Sequence, residues 1–453
     1  MQSLKQNITQ MKKTIYLLLL ASLAIVGCVA TREIPLTQEP ADMVGATQLQ
    51  QLPLLPKDLS QIEYINIRDT FPWHPDSRTP FETERPQDGF KPLGNYMESY
   101  ECVALEKIPD ERHNVCDIQA DDKRIFLSYE AQTGTDAFTR HVIYDNKGKL
   151  ISVLGESMGI FKYDEDRLEE LQYGFSSSLE LDRTRKEVII VSHNRLIVFD
   201  YDGKYLRTDY IKMYTYRAGN SQGNWIVLDN ANGSGIYSLD KQLKPAMRSS
   251  FGGEKTAYNP MYHNSSDGYL YKIPQNSDTI WQLHSNKLVA KFVYTGDSQA
   301  EINQEQPSAF YRQTGMGRTY ISPRYVLTEV QKNTQKGKDV TGYIAHCYDR
   351  QTGHSFCFRQ SMGENVPNTA SLIEWHIDLS RIHGFTPDGR IICMPGSISM
   401  PAPMKRFLAH YLEKKGNPDE AISLTLPKHE EKFIRSLKLD GGPVLFFVKL
   451  KKF

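Results

Sequence analysis

Cys28 carries the most specific chemistry in this 453-residue chain. It ends the small-residue box Ile25-Val26-Gly27-Cys28, behind Lys12, Lys13 and an apolar run from Ile15 to Val26. That is the pattern of a bacterial lipoprotein signal, in which the cysteine thiol takes the lipid. Twelve apolar residues are too few to span a bilayer. The densest other constellation is Trp375-His376-Ile377-Asp378, with His383 nearby. Strand alternation places His376 and Asp378 on one face, where they would form a ligand pair or an oriented imidazole at a funnel or loop site. The sequence offers no third ligand, so a polar strand face or connecting loop is the simpler reading, and no metal or cofactor is expected.

Other catalytic signatures are missing from the sequence. It contains no Gly-x-x-x-x-Gly-Lys phosphate loop, no Gly-x-Ser-x-Gly elbow and no His-Glu-x-x-His pair. His429-Glu430-Glu431 lacks the second histidine. Asp145, Asp202 and Asp240 recur at turns, which fits the ability of aspartate to bond its own backbone better than a calcium loop with several oxygen ligands. Five cysteines remain besides Cys28. Cys347 and Cys357 flank the turn Arg350-Gln351-Thr352-Gly353 and are candidates for a bridge across a hairpin. Aromatic residues in the long connections, Phe71, Trp73, Phe81, Tyr258, Tyr262 and Phe310, would stack on a sugar or anchor a partner, though covering blade edges is the simpler reading. Lysine plus arginine and aspartate plus glutamate balance at 54 each, so no positive field exists to hold nucleic acid.

The elements that must position these residues read as strands. Twenty-five tyrosines and nineteen phenylalanines favour the pleated, half-buried surfaces of sheets. From about Tyr100 onward, apolar runs of four to seven residues alternate with Asp, Asn, Gly or Lys turns. Residues 186–207 hold three strands and two tight turns, which only consecutive antiparallel strands can fit. A unit of aromatic strand, polar turn and second strand recurs at 141–155, 196–207, 235–252, 279–292 and 343–358, with Pro387 to Cys393 as a sixth. Taking Tyr144, Phe199, Tyr237, Trp281 and Tyr348 as equivalent gives intervals of 55, 38, 44 and 67 residues, around the length of a four-stranded propeller blade.

The expected fold is therefore all-β, a single six-bladed β-propeller with a short C-terminal helix insertion at Met404 to Lys414. Closing the ring requires a terminal segment to complete a blade, a role open to Tyr100 to Leu105 or to Pro443 to Leu450. The expected divisions are 1–27 for the signal, with Met11 the better start; 28–95 for an irregular, proline-bearing tether; and 96–453 for the propeller.

With Tyr100 to Leu127, LIVFDYDGKYLR at 196–207, SDTIWQL at 277–283 and GGPVLFFVKLKK at 441–452 in view, the chain resembles the six-bladed, NHL-like β-propeller lipoproteins of Bacteroides-type bacteria. The resemblance covers roughly 96–453 and implies the fold, with no assigned chemistry to carry over. The expected function is a non-enzymatic binding or scaffolding module with a glycan or envelope protein as partner. The lipid would hold it to the membrane, on the outer membrane facing the periplasm. The alternative is a propeller enzyme, a lyase or glycan-processing hydrolase, with residues dispersed around the funnel.

Overall fold

The structure is a computed structural model, which describes residues 50–51, 62–66, 93–108, 113–133, 136–154, 177–192, 194–212, 217–229, 235–250, 261–273, 279–284, 288–295, 314–332, 343–359, 382–394, 400–415 and 426–452. The chain divides into two compact units, Met1–Val44, which lies outside the described residues, and Gly45–Phe453, which holds the propeller.

Three strands precede the repeats: β1 (Gln50–Gln51), β2 (Glu63–Asn66) and β3 (Met97–Ala104). Blade 1 then comprises β4 (His113–Ala120), β5 (Arg124–Thr133), β6 (Asp136–Asp145) and β7 (Leu150–Val153). Blade 2 comprises β8 (Ser178–Asp182), β9 (Glu187–Ser192), β10 (Arg195–Asp200) and β11 (Tyr205–Tyr210). Blade 3 follows with β12 (Arg217–Ser221), β13 (Asn224–Asp229), β14 (Gly235–Leu239) and β15 (Pro245–Ser250). Blade 4 has β16 (Met261–Asn264), β17 (Leu270–Ile273), β18 (Thr279–Leu283) and β19 (Leu288–Thr295). Blade 5 has β20 (Thr314–Ile321), β21 (Tyr325–Lys332), β22 (Tyr343–Asp349) and β23 (Ser355–Arg359). Blade 6 is built from both ends of the propeller segment: β24 (Ile382–Phe385), β25 (Ile391–Cys393) and β26 (Val444–Leu450), completed by β3 from the N-terminal side. Both expected closing segments are thus used, paired antiparallel with each other from Val444↔Ala104 to Leu450↔Met97.

The apolar cores lie between blades rather than within them. One joins blades 1 and 6 through Val142, Tyr144, Ile392 and Leu445, and another joins blades 1 and 2 through Phe126, Ile143, Leu179 and Phe199. Equivalent clusters join 2 to 3, 3 to 4, 4 to 5 and 5 to 6, so every sheet buries both faces. That is why strands such as β9 and β10 read as continuous apolar runs instead of alternating ones.

The turn aspartates cap the turn after the third strand in blades 1 to 3. Asp145 Oδ1 accepts the backbone N–H groups of Lys147 and Lys149, Asp200 those of Asp202 and Lys204, and Asp240 those of Gln242 and Lys244. Turn chemistry accounts for them, and in blade 2 the capping residue is Asp200, while Asp202 instead meets Arg124 at 2.6 Å. Pairing also corrects the repeat register. Tyr144, Phe199, Leu239, Leu283 and Tyr348 occupy the last paired position before the turn, so Tyr237 and Trp281 sit two residues early and the intervals are 55, 40, 44 and 65. The error left the face unchanged because side chains alternate with period two. In the turn of blade 1, Gly148 combines φ of 83° with a site where an added Cβ would lie 2.2 Å from the Ala104 carbonyl oxygen.

The expectation of an irregular tether across 28–95 is corrected at two places. β1 pairs in parallel with β15, and β2 pairs in parallel with β19, each adding a fifth strand outside its blade. Ile65 is completely buried, and Glu63 takes a bidentate bond from Arg350 (2.8 and 2.9 Å) and a contact from Lys291 (3.0 Å). Burial works to raise the Glu63 carboxyl, but these two cations outweigh it and hold its pKa below the usual value. Leu93 and Tyr96 continue along blade 5, where Tyr96 stacks on Phe356 at 4.4 Å, before β3 enters blade 6.

Two helices lie between β25 and β26: α1 (Pro401–Lys415), matching the expected helix, and α2 (Lys428–Ser436), which the sequence reading missed. Met404, Leu408 and Tyr411 of α1 and Ile434 of α2 join the blade 5–6 core. Tyr100 donates its hydroxyl hydrogen to the buried Glu430, which fixes α2 against β3. No helix among the described residues is long and apolar enough to cross a membrane.

Candidate functional site

The innermost strand of every blade runs in the same sense, so the turns that follow these strands gather at one end of the ring. There the ends of the inner strands of blades 1 to 4 line a shallow, open cleft with a cavity volume of about 70 Å³. Gln119 comes from blade 1, Glu180 and Arg183 from blade 2, Asn220 from blade 3 and Tyr269 from blade 4.

Hydrogen bonds between neighbouring blades hold this mouth. Gln119 Nε2 donates to the Leu179 carbonyl at 3.0 Å and to Asp117 Oδ2 at 3.2 Å, and Arg183 Nη1 donates to the Ala120 carbonyl at 3.3 Å. Gln222 donates from its backbone to the Gly268 carbonyl (2.9 Å) and from Nε2 to the Asp267 carbonyl (3.0 Å). The turn side chains are committed locally: Asp182 Oδ1 accepts from Thr184 and Arg185, and Asn220 Oδ1 accepts from Gly223 at 2.7 Å. The amide of Asn220 keeps its two N–H donors, and the guanidinium of Arg183 has five. Burial lowers the Arg183 pKa from its ordinary value, against the pull of Tyr201 and Asp121. Burial likewise raises the Asp117 pKa, countered by Gln119 and the Ile118 backbone. Glu180 is 7% exposed. The cleft therefore combines a carboxylate, a guanidinium, carboxamides and a phenol ring within one mouth.

None of the residues singled out from sequence lines this cleft. Trp375, His376 and Asp378 lie outside the described residues, as does Cys28. His383 is half-buried on β24 in blade 6. Of the loop aromatics, only Tyr262 is described, and it belongs to strand β16 rather than a loop. No disulfide joins Cys347 to Cys357. The pairing sets Cys347 opposite Phe356 and Cys357 opposite His346, one residue out of register, so the two sulfurs occupy opposite faces. Cys347 enters the core between blades 5 and 6 and Cys357 that between blades 4 and 5, a geometry that rules out the expected bridge. Among the described residues, no group of three or more His, Cys, Asp or Glu residues is placed to hold a metal ion. The cleft residues were hidden from sequence reading because they are ordinary turn residues, unremarkable until four blades converge.

The sequence matches no family profile, and no curated protein matches it. Solved structures do. A putative exported protein of Bacteroides fragilis aligns at a TM-score of 0.54 and 10% identity, covering 86% of this chain and 100% of its own. A member of the DUF4221 family from Bacteroides vulgatus aligns at 0.39 and 10% identity, covering 78% of this chain and 97% of its own. The β-propeller domain of the trilobed protease from Pyrococcus furiosus aligns at 0.32 and 9% identity, over 63% and 91%. At such identities the likeness is one of fold alone, and this chain is similar in fold to the putative exported protein of Bacteroides fragilis.

Proposed function

We propose that this protein is an envelope lipoprotein of the NHL-like propeller type, anchored through Cys28 in the outer membrane and facing the periplasm, that binds a glycan without transforming it. The observation that carries the glycan reading is the mixed, planar polar lining of the cleft. Carboxamide, carboxylate and guanidinium groups each offer two adjacent bonding positions in a plane, which suits the paired hydroxyls of a sugar ring. The half-buried ring of Tyr269, packed against Tyr271 and His284, supplies an apolar edge for the C–H side of such a ring. The opposite charges of Glu180 and Arg183 within one mouth favour a neutral polyol over an ion.

Calorimetric titration of the full chain with a panel of neutral mono- and oligosaccharides tests this. Binding of one member, weakened at least tenfold by Arg183→Ala and by Asn220→Ala, is the expected result. Absence of heat across the panel overturns it, and shortened or unsaturated products in the same mixtures replace it with the enzyme reading.

A further inference from the structure

We infer that the outer edge of blade 2 is a self-complementary dimerisation strand, pairing antiparallel with the same strand of a second copy about Thr208. The starting point is a difference among the six outer edges. Those of blades 3 and 4 are covered by β1 and β2. The outer strand of blade 1 is only four residues long, and its first residue, Leu150, already donates its backbone N–H to Glu106. The edge of blade 6 is longer but carries the exposed Glu98 and Glu101, tied to Lys449 (2.9 Å) and Arg390 (3.2 Å), the charged kind of edge that resists pairing. Tyr96 stacks against Phe356 on the outer strand of blade 5. β11 is six residues long, and among the described residues no strand pairs with its outer side.

Its side chains point to a specific occupant. Tyr205 (37% exposed) and Leu206 (44% exposed) are two of the four large hydrophobic residues exposed among the described ones. Arg207 and Asp209 lie two apart on one face, bonded to each other at 2.9 Å, with Arg207 also held bidentately by Glu187 at 2.7 and 3.0 Å. Charges on an edge strand usually prevent pairing. Opposite charges two residues apart do something more selective. Antiparallel pairing centred on Thr208 sets Arg207 against the partner's Asp209 and, by the two-fold axis, Asp209 against the partner's Arg207. Leu206 then faces the partner's Tyr210, and the two threonines face each other. Each of these is a favourable cross-strand pair. Centring on Arg207 or on Asp209 sets like charges face to face, as does parallel pairing in register. Among two-fold antiparallel registers that pair five residues of each strand, only the one centred on Thr208 escapes like-charge contact, and it closes an isologous dimer. The ladder is about 20 Å long, so the dimer belongs to the small, reversible class of interfaces.

The experiment is sedimentation velocity on the full chain over a concentration series, with three variants. The wild type dimerises; Asp209→Arg sets two like-charged pairs across the axis and weakens dimerisation at least tenfold. The double variant Arg207→Asp with Asp209→Arg restores complementarity and restores the dimer. In a Cys116→Ser background, which removes an exposed thiol, Thr208→Cys forms a disulfide-linked dimer on mild oxidation, whereas Tyr205→Cys does not. A wild type that stays monomeric at its solubility limit, a dimer indifferent to Asp209→Arg, or a charge swap that fails to rescue each overturns the inference.

Discussion

The interfaces between blades 1 and 2 and between blades 4 and 5 each bury a histidine completely, and they treat it oppositely. His141 on β6 is bonded at Nδ1 to the Ser128 hydroxyl (2.8 Å) and at Nε2 to that of Ser177 (2.9 Å). Among the described residues, His346 on β22 has no hydrogen-bond partner at either ring nitrogen, and it packs edge-on against Tyr294 at 5.9 Å. Nearby, Thr328 Oγ1 accepts the Thr319 hydroxyl at 3.2 Å and pairs with the Tyr294 hydroxyl at 2.5 Å. Burial alone lowers both imidazoles to a pKa of about 3, so both are neutral. The lesson is that exclusion of water sets the charge state, while hydrogen bonding decides what the histidine contributes to stability.

The largest effect that would sharpen this contrast is acid sensitivity. An unfolded histidine takes its proton near pH 6.5, but the folded sites take theirs only near 3. Between those values the unfolded chain binds more protons, so stability is complete above pH 6.5 and falls as the pH falls. Each histidine contributes a loss of about 1.4 kcal/mol per pH unit, or about 3 kcal/mol by pH 4. Denaturant melts from pH 7 to 4 should show this slope, and His346→Leu should reduce it by one proton. An unchanged slope would mean His346 is not buried and neutral.

Next comes the loss of a hydroxyl. Ser128→Ala leaves Nδ1 of His141 buried without its partner and should cost about 1–3 kcal/mol at pH 8, where protonation plays no part. Converting both residues, Ser128→Ala with His141→Leu, should recover part of that loss. A smaller effect is expected across the ring: His346→Leu at pH 8 should fall within about 1 kcal/mol of the wild type, since it breaks no hydrogen bond. If His346→Leu costs as much as His141→Leu, the two sites are equivalent and the comparison fails.

An effect of comparable size, local rather than global, concerns the strand added beside the 4–5 interface. Arg350→Lys loses the bidentate geometry on Glu63 and should weaken docking of β2 by roughly 0.5–1.5 kcal/mol. Hydrogen exchange at Ile62 to Asn66 should quicken while β18 and β19 keep their protection. Uniform loss of protection would instead make Arg350 part of the ring's global stability.

Much of the fold was legible because its signals are local. The turn after LIVFD in blade 2 announces itself through Asp202-Gly203, although the carboxylate that caps it is that of Asp200, two residues earlier. The α1 helix shows its apolar stripe in one run of sequence. Glu63-Tyr64-Ile65-Asn66 shows nothing comparable, because its status as a strand depends on β19, more than 220 residues later. The α2 helix was missed for a related reason: its anchoring contact, Glu430 to Tyr100, is invisible without the ring.

The cysteines and the cleft separate the two kinds of information. By itself the sequence determined the strand-and-turn repeat, the positions of the third strands and the lack of a contiguous catalytic motif, since each depends on neighbours a few bonds apart. Only the tertiary structure decided that Cys347 and Cys357 lie on opposite faces, because a register shift of one residue turns every side chain over. Only it brought Gln119, Glu180, Asn220 and Tyr269 to one mouth, because that convergence is set by the parallel alignment of inner strands from four blades, a relation among segments that no local preference encodes.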